Sequence, residues 1–219
     1  FMEPALATEG YGVALVGEAL GKDEAETSAP FVGKAGFRLT RMLEWAGFDR
    51  SRFDLWNTVW CRPPHNQLEG MDYEQAAISH CRQQHWDRLI DRVRVLVPMG
   101  NVAMSALMGR KGILRSRGYI YPGPRETHLV PTVHPSFIQR GQSKYSAAFI
   151  HDVQKAVTLA EEGMQFHPKQ YVIDPSPEVA MDWAQEYTAY LEDHPTVRLA
   201  YDIETPYKGE DEELSLIHI

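Results

Sequence analysis

The segment Gly12-Val13-Ala14-Leu15-Val16-Gly17-Glu18 decides how the rest of the chain reads. A short, unbroken apolar run that closes on a glycine has the pattern of a strand buried on both faces and feeding a turn, so a strand is expected over residues 12–16. Downstream, Phe37, Leu39, Met42, Leu43 and Trp45 recur at mixed helical spacing, which predicts a helix over 35–46 with Gly47 as its stop. A second strand is expected at 53–59. A long helix follows at 73–93, with Ile78, Cys81, His85 and Leu89 roughly along one side. The apolar run at 93–97 reads as a third strand, 103–108 as a short helix, 127–133 as another strand and 145–161 as a closing helix. Strands that alternate with helices imply an α/β fold: a three-layer sandwich whose central, mostly parallel sheet carries helices on both faces. Ligands in such sheets bind beyond the carboxyl ends of the strands. The loops at 17–36, 57–70 and 134–141 all follow strands, so they can converge on one site.

With 219 residues, 43% hydrophobic and 24% charged, the chain has the composition of an ordinary globular protein that can bury a core. No apolar run is long enough to span a bilayer and the N-terminus lacks a secretory signal, so the expectation is a cytoplasmic protein with no membrane partner. Two cysteines, Cys61 and Cys81, are too few for a disulfide framework; they read as thiols or metal ligands. The net charge of −8 hides an asymmetry: residues 1–160 hold 19 Lys and Arg against 16 Asp and Glu, and residues 161–219 hold 3 against 14. An acidic tail therefore masks a mildly basic body. Arginines 110, 115, 117, 125 and 140 lie in the second half of that body, either as phosphate contacts or as a solvated face. Past Gly163 the pattern changes: a stretch at 168–174, two prolines, a helix expected at 178–191 and an apolar run at 197–201 read as the opening of a second domain.

Three segments carry the chemistry. The first is Gly17-Glu18-Ala19-Leu20-Gly21 with Glu24 and then Pro30-Phe31-Val32-Gly33; the second is Asn57 followed by Cys61-Arg62-Pro63-Pro64; the third is His134-Pro135-Ser136. Together, and in this order, they resemble the family 4 uracil-DNA glycosylases over about residues 10–160, including Arg117-Gly118 before the last strand. Leu20 stands where that family has proline, Ala25 where it has aspartate and Ser28 where it has glycine; none of these removes a proposed catalytic group. The resemblance implies a uracil-DNA glycosylase-like domain at 1–165 that acts on uracil-containing DNA, as a monomer or within a longer polypeptide. Hydrolysis of the glycosidic bond leaves positive charge on the sugar and negative charge on the base, so a carboxylate near one and a donor near the other are required. By the resemblance Glu18 positions or activates the attacking water, Glu24 is its acidic neighbour, and His134 donates toward the uracil O2. Asn57 offers an acceptor and two donors to the N3 hydrogen and O4 of uracil, and Phe31 stacks on the flipped base. Gly17, Ala19, Ser136 and Arg140 complete the substrate-binding set. The loop at 136–141, with Phe137, Ile138 and Arg140, is placed to fill the gap left by the flipped nucleotide.

Cys61 and Cys81 match the last two of the four cysteines that hold a 4Fe–4S cluster in this family. Either a first pair lies upstream of Phe1 in the full-length protein, or the two thiols are ordinary buried residues. The acidic tail resembles the opening of a 3′–5′ proofreading exonuclease with an RNase H-like fold: residues 199–201 form its first strand and Asp202-Ile203-Glu204-Thr205 its first carboxylate motif, in which Asp202 and Glu204 hold Mg²⁺ once the remaining carboxylates are present. Residues 166–219 are thus expected to be the truncated start of that domain, as in some bacteriophage DNA polymerases, which would place the protein in the host cytoplasm. The last six residues, 214–219, match what the transposon end used in DNA-library preparation would encode, so adapter read-through and a fragment of a longer gene are expected. Two functions follow: uracil excision, or a non-catalytic module of a phage polymerase that senses uracil or grips DNA. A Rossmann-type enzyme for a free nucleotide is the weakest reading, since neither Gly-x-Gly-x-x-Gly nor a P-loop is present.

Overall fold

In the computed structural model, residues 3–164 and 176–193 are described, together with the backbone of 202–204 and 216–218. The chain divides into two compact units, Phe1–Gln165 and Phe166–Ile219.

The first unit runs β1 (Val13–Ala19), α1 (Lys22–Thr27), α2 (Lys34–Trp45), β2 (Asp54–Val59), α3 (Glu74–Cys81), a π turn at Arg82–Trp86, α4 (Asp87–Ile90), β3 (Val95–Pro98), α5 (Gly100–Met108), α6 (Ile113–Ser116), β4 (Tyr121–Pro122), β5 (His128–Leu129), α7 (Pro135–Gln139) and α8 (Ser146–Glu162). Its five-stranded sheet has the order β2-β1-β3-β5-β4. The first four of these strands are parallel, and only β4 is antiparallel, to β5.

Alternation along β1 builds the two layers, because successive side chains of a strand leave opposite faces. Val13 and Leu15 join one core with Leu39, Met42 and Leu43 of α2 and Phe149 and Val153 of α8. Ala14 and Val16 join the other, with Trp56, Ile78, Trp86, Leu89 and Val102. Each Val, Leu, Ile, Met or Phe among them, once fully buried, contributes about 1.5–3 kcal/mol.

Several expected elements take a different form. β1 runs on through Gly17, Glu18 and Ala19, because Gly17 pairs with Asn57 and Ala19 with Val59 of β2. The helix expected over 73–93 is broken by the π turn and stops at Ile90. The strand expected over 127–133 is regular only at His128–Leu129; Pro131 has no N–H for a ladder, and pairing resumes only as a single bridge from Thr132 to Met99. Phe37 and Trp45, grouped with the apolar residues of α2 by spacing, point outward, 66% and 55% exposed.

In the second unit α9 spans Pro177–Asp193, and β6 (Asp202–Glu204) pairs antiparallel with β7 (Leu216–His218). The stretch at 168–174, the apolar run at 197–201 and the strand expected at 199–201 lie outside the described residues. Asp202 and Glu204 fall within a strand rather than just after one. No helix among the described residues is long and apolar enough to cross a membrane.

Candidate active site

The carboxyl ends of β1 and β2, and the segments that follow β3 and β5, meet at one edge of the sheet. Gly17 is the hinge of this meeting. Its carbonyl accepts a 2.7 Å hydrogen bond from the buried Thr58 hydroxyl, which locks β1 to β2. A Cβ at position 17 would lie 2.6 Å from Asn57 Oδ1 and 2.6 Å from Phe31 Cζ. The Asn57 amide and the Phe31 ring therefore close against bare backbone, and only glycine leaves room for both. Asn57 is buried in β2, yet its side-chain amide makes no hydrogen bond among the described residues. Its donors and acceptor are unspent, the condition for reading a base edge.

Phe31 is held in an unfavourable backbone conformation, with φ of +53°. Such a conformation for a bulky residue costs about 1–3 kcal/mol and persists only when its surroundings over-determine it. Arg50 supplies that constraint. Its guanidinium donates to the carbonyl of Pro30 at 2.8 Å, that of Phe31 at 2.9 Å and that of Gly36 at 3.3 Å, and to the Thr40 hydroxyl at 2.7 Å. Gly36 completes the seat: a Cβ there would fall 1.8 Å from the Phe31 carbonyl oxygen. Glu24 acts on the same segment, accepting from the Gly33 backbone N–H at 2.8 Å. The structure thus places Glu24 as a tie between α1 and the start of α2.

Glu18, the next residue along β1, lines a cavity of about 600 Å³ with His134, Ser136 and Arg140, and with Glu69, Asn101, Arg110, Lys111 and Arg115. Burial, and then the neighbouring Glu69 carboxylate, raises the Glu18 carboxyl above its ordinary value. On the wall of the same cavity, His134 caps α7. Its Nδ1 accepts from the Ser136 backbone N–H at 3.2 Å and lies 2.7 Å from the Ser136 hydroxyl, which in turn accepts from Arg140 at 3.3 Å. A ring whose Nδ1 is an acceptor carries its proton on Nε2. Burial, with the Arg140 charge behind it, pushes the imidazole down to about 4, so the ring is neutral at neutral pH. The result is an uncharged Nε2–H donor and an acid held above its usual range, facing one chamber.

His134 is placed by a buried network of which the sequence singles out only Arg117. Asp152 of α8, fully buried, accepts from the Thr132 hydroxyl at 2.7 Å and from Arg117 at 2.9 and 2.5 Å. Thr132 lies two residues before His134, so this network fixes the approach to α7. Neither Asp152 nor Arg50 stands in a recognisable motif, and their partners are 35 and 20 residues away. Glu69 is likewise visible only once its loop is folded over Glu18.

The remaining expected site residues divide. Ser136 and Arg140 border the cavity, and Ala19 is half-buried at the end of β1. Phe31 and Asn57 meet over Gly17 and are not among the residues lining the Glu18 chamber. Ile138 is only 1% exposed, in the core, so of the residues expected to fill a gap in the DNA stack it is not available; Phe137 packs half-buried on Tyr145, with ring centroids 5.6 Å apart. Cys61 is exposed and Cys81 buried. The Cys81 sulfur accepts from the Trp60 N–H at 3.4 Å, and burial pushes its thiol up. A four-thiolate cluster does not fit these residues alone: the sequence holds two cysteines, and among the described residues no three His, Cys, Asp or Glu side chains are grouped to hold a metal.

A mostly parallel α/β sheet, motif loops gathered at its carboxyl edge, and a carboxylate that shares one cavity with a neutral histidine define a three-layer α/β protein with a candidate active site at that edge. The model of the uracil DNA glycosylase superfamily matches residues 6–157, and the chain belongs to that superfamily. Within it, the chain is similar to the type-4 uracil-DNA glycosylase of Thermotoga maritima, 34% identical over 153 residues that cover 68% of this chain and 78% of that protein. It is also similar to the type-4 uracil-DNA glycosylase of Sulfurisphaera tokodaii, 30% identical with 80% of each chain covered, and to that of Archaeoglobus fulgidus, 42% identical with 62% and 70% covered.

Proposed function

We propose that this chain hydrolyses the N-glycosidic bond of uracil in DNA. The observation that carries the reading is the presence, in the lining of one chamber, of Glu18 and a histidine kept neutral and oriented as an Nε2–H donor. As the C1′–N1 bond breaks, its electron pair leaves with the base, and His134 donates to the O2 on which negative charge accumulates. The Glu18 carboxylate steadies the cationic sugar and orients water toward C1′; water adds its oxygen there and gives up a proton, for which a carboxylate of raised affinity is a ready acceptor. Asn57 is the group for the N3 hydrogen and O4 of the base and Phe31 the ring for its face, although both are buried beside Gly17, 7% and 5% exposed. Arg110, Lys111, Arg115 and Arg140 border the chamber with positive charge, though Lys111 also pairs with Glu74 at 3.5 Å. Backbone phosphates are the natural partners of such a rim.

The name of the type-4 relatives supports this reading, as does the order of the motifs. Cys61 and Cys81 would supply two of the four thiolates of a cluster, and no step of hydrolysis is routed through it. For the tail, the reading remains the start of a proofreading exonuclease fused to a polymerase. It is supported by the Asp202-Ile203-Glu204-Thr205 motif.

Incubation of the purified chain with an end-labelled oligonucleotide that carries one uracil, followed by alkali, tests the activity. Strand cleavage at the uracil by the wild type, lost in Glu18→Gln and reduced in His134→Ala, is the expected result. Intact strands with tight, uracil-selective binding would replace the enzyme with the sensing module.

A further inference from the structure

Helix α2 buries Leu39, Met42 and Leu43 and turns its opposite side outward. That side carries Lys34, Phe37, Arg38, Arg41 and Trp45, spaced i, i+3, i+4, i+7 and i+11, which places all five in one stripe. At 66% and 55% exposed, Phe37 and Trp45 are far more open than large aromatics in a finished core. The Arg41 guanidinium lies 5.4 Å from the centre of the Trp45 ring. A groove of about 590 Å³ follows the stripe, and its far wall includes Gln139 of α7.

We propose that this stripe is a track for unpaired DNA beside the excision site; the inference rests on the glycosylase reading. Three observations carry it. The first is composition: rings alternating with cations along a groove are how sequence-tolerant single-strand binders work, with bases stacking on the rings and phosphates held by the charges. The second is charge. Three cations face the groove against Asp23, which lines it, and Glu44, which pairs with Arg41 at 4.0 Å, so the groove remains positive toward a polyanion. The third is continuity, because α7 has His134 at its head and Gln139 at its tail, and the track therefore starts one short helix away from the group assigned to the leaving base. The stripe is about 16 Å long at 1.5 Å per residue, enough for several nucleotides.

The test uses the full chain and two uracil-free probes read by fluorescence anisotropy: a labelled thymine 20-mer and the same strand in a duplex. The double variant F37A/W45A is expected to bind the single strand at least tenfold more weakly, with the duplex affinity within about twofold of wild type and an unchanged melting curve. W45F, which keeps a ring, stays within about threefold of wild type on both probes. For R38Q/R41Q the slope of log K against log salt on the single strand falls by roughly 1.4, the share of two lost phosphate contacts. Unchanged single-strand affinity in F37A/W45A overturns the proposal, and so does an equal loss on the duplex. A dimer that F37A/W45A converts to monomer, at unaltered DNA affinity, would assign the stripe to a second copy of the chain and also overturns it. If wild type excises uracil while F37A/W45A still grips the single strand, the track alone fails; if wild type neither excises uracil nor binds either probe, the glycosylase reading fails with it.

Discussion

Replacing Gly17 by alanine should disable the site through a collision of known size. The new methyl would sit 2.6 Å from both Asn57 Oδ1 and Phe31 Cζ. Ordinary contact requires about 3.5 Å or more, so one group or both must retreat by close to 1 Å. The backbone raises no separate objection, since position 17 does not lie in the left-handed region. Displacement of that size in a positioned reacting pair can lower the rate about 100-fold, equivalent to about 2.7 kcal/mol in the transition state. Crowding at a packed site also costs about 1–3 kcal/mol of stability, or several degrees in Tm for a chain of this size. Single-turnover excision of uracil by G17A, with its melting curve alongside, measures both. A rate within threefold of wild type in a well-folded G17A protein would mean that Asn57 and Phe31 do not converge on Gly17 in the working enzyme, and the recognition geometry would be wrong.

Four further outcomes are expected. His134→Ala should lower kcat by about 100- to 1000-fold while the protein still folds, as for the loss of one donor to developing charge, checked by excision kinetics and circular dichroism. The acid limb of the rate profile should follow Glu18, which must be ionised, and no limb should appear at the ordinary histidine value, because His134 gains its proton only near 4; Glu69→Gln, by removing the second-largest cause of the raised Glu18 value, should move that limb to lower pH. His134 also contributes to the pH dependence of folding: its folded-state value is depressed, so the stability it lends is present above about 6.5 and is lost as pH falls toward 4, measurable by denaturant titration across that window. Asp152→Ala removes one partner of a buried ion pair and should cost about 3–5 kcal/mol, read from the urea midpoint.

The order of buried strands and amphipathic helices is legible in the chain because a parallel sheet covered on both faces leaves continuous apolar runs, as at Val13-Ala14-Leu15-Val16. Ends are less legible. Gly17, Glu18 and Ala19 look like a loop when read alone, and they become strand only because β2 offers them a ladder. Pro131 shortens β5, and the break in the helix at Arg82–Trp86 has no proline or glycine to announce it. That Glu18 and His134 come to one site is legible because the segments carrying them lie at the carboxyl ends of strands and must emerge at the same edge. What holds the site in place is not legible: Arg50 under Phe31 and Asp152 behind Thr132 act across long separations and look like ordinary surface charges in the sequence. The outward aromatics of α2 mislead in the opposite direction, since spacing alone cannot tell a ring that fills a core from one that waits on a surface.

The most direct test of the central claim is to quantify free uracil and abasic sites together, by mass spectrometry, after the chain acts on uracil-containing DNA. One free uracil for each abasic site, with multiple turnovers by wild type and almost none by Glu18→Gln, is the predicted result. DNA that is bound but yields no free base would contradict the assignment of Glu18 and His134 to bond cleavage.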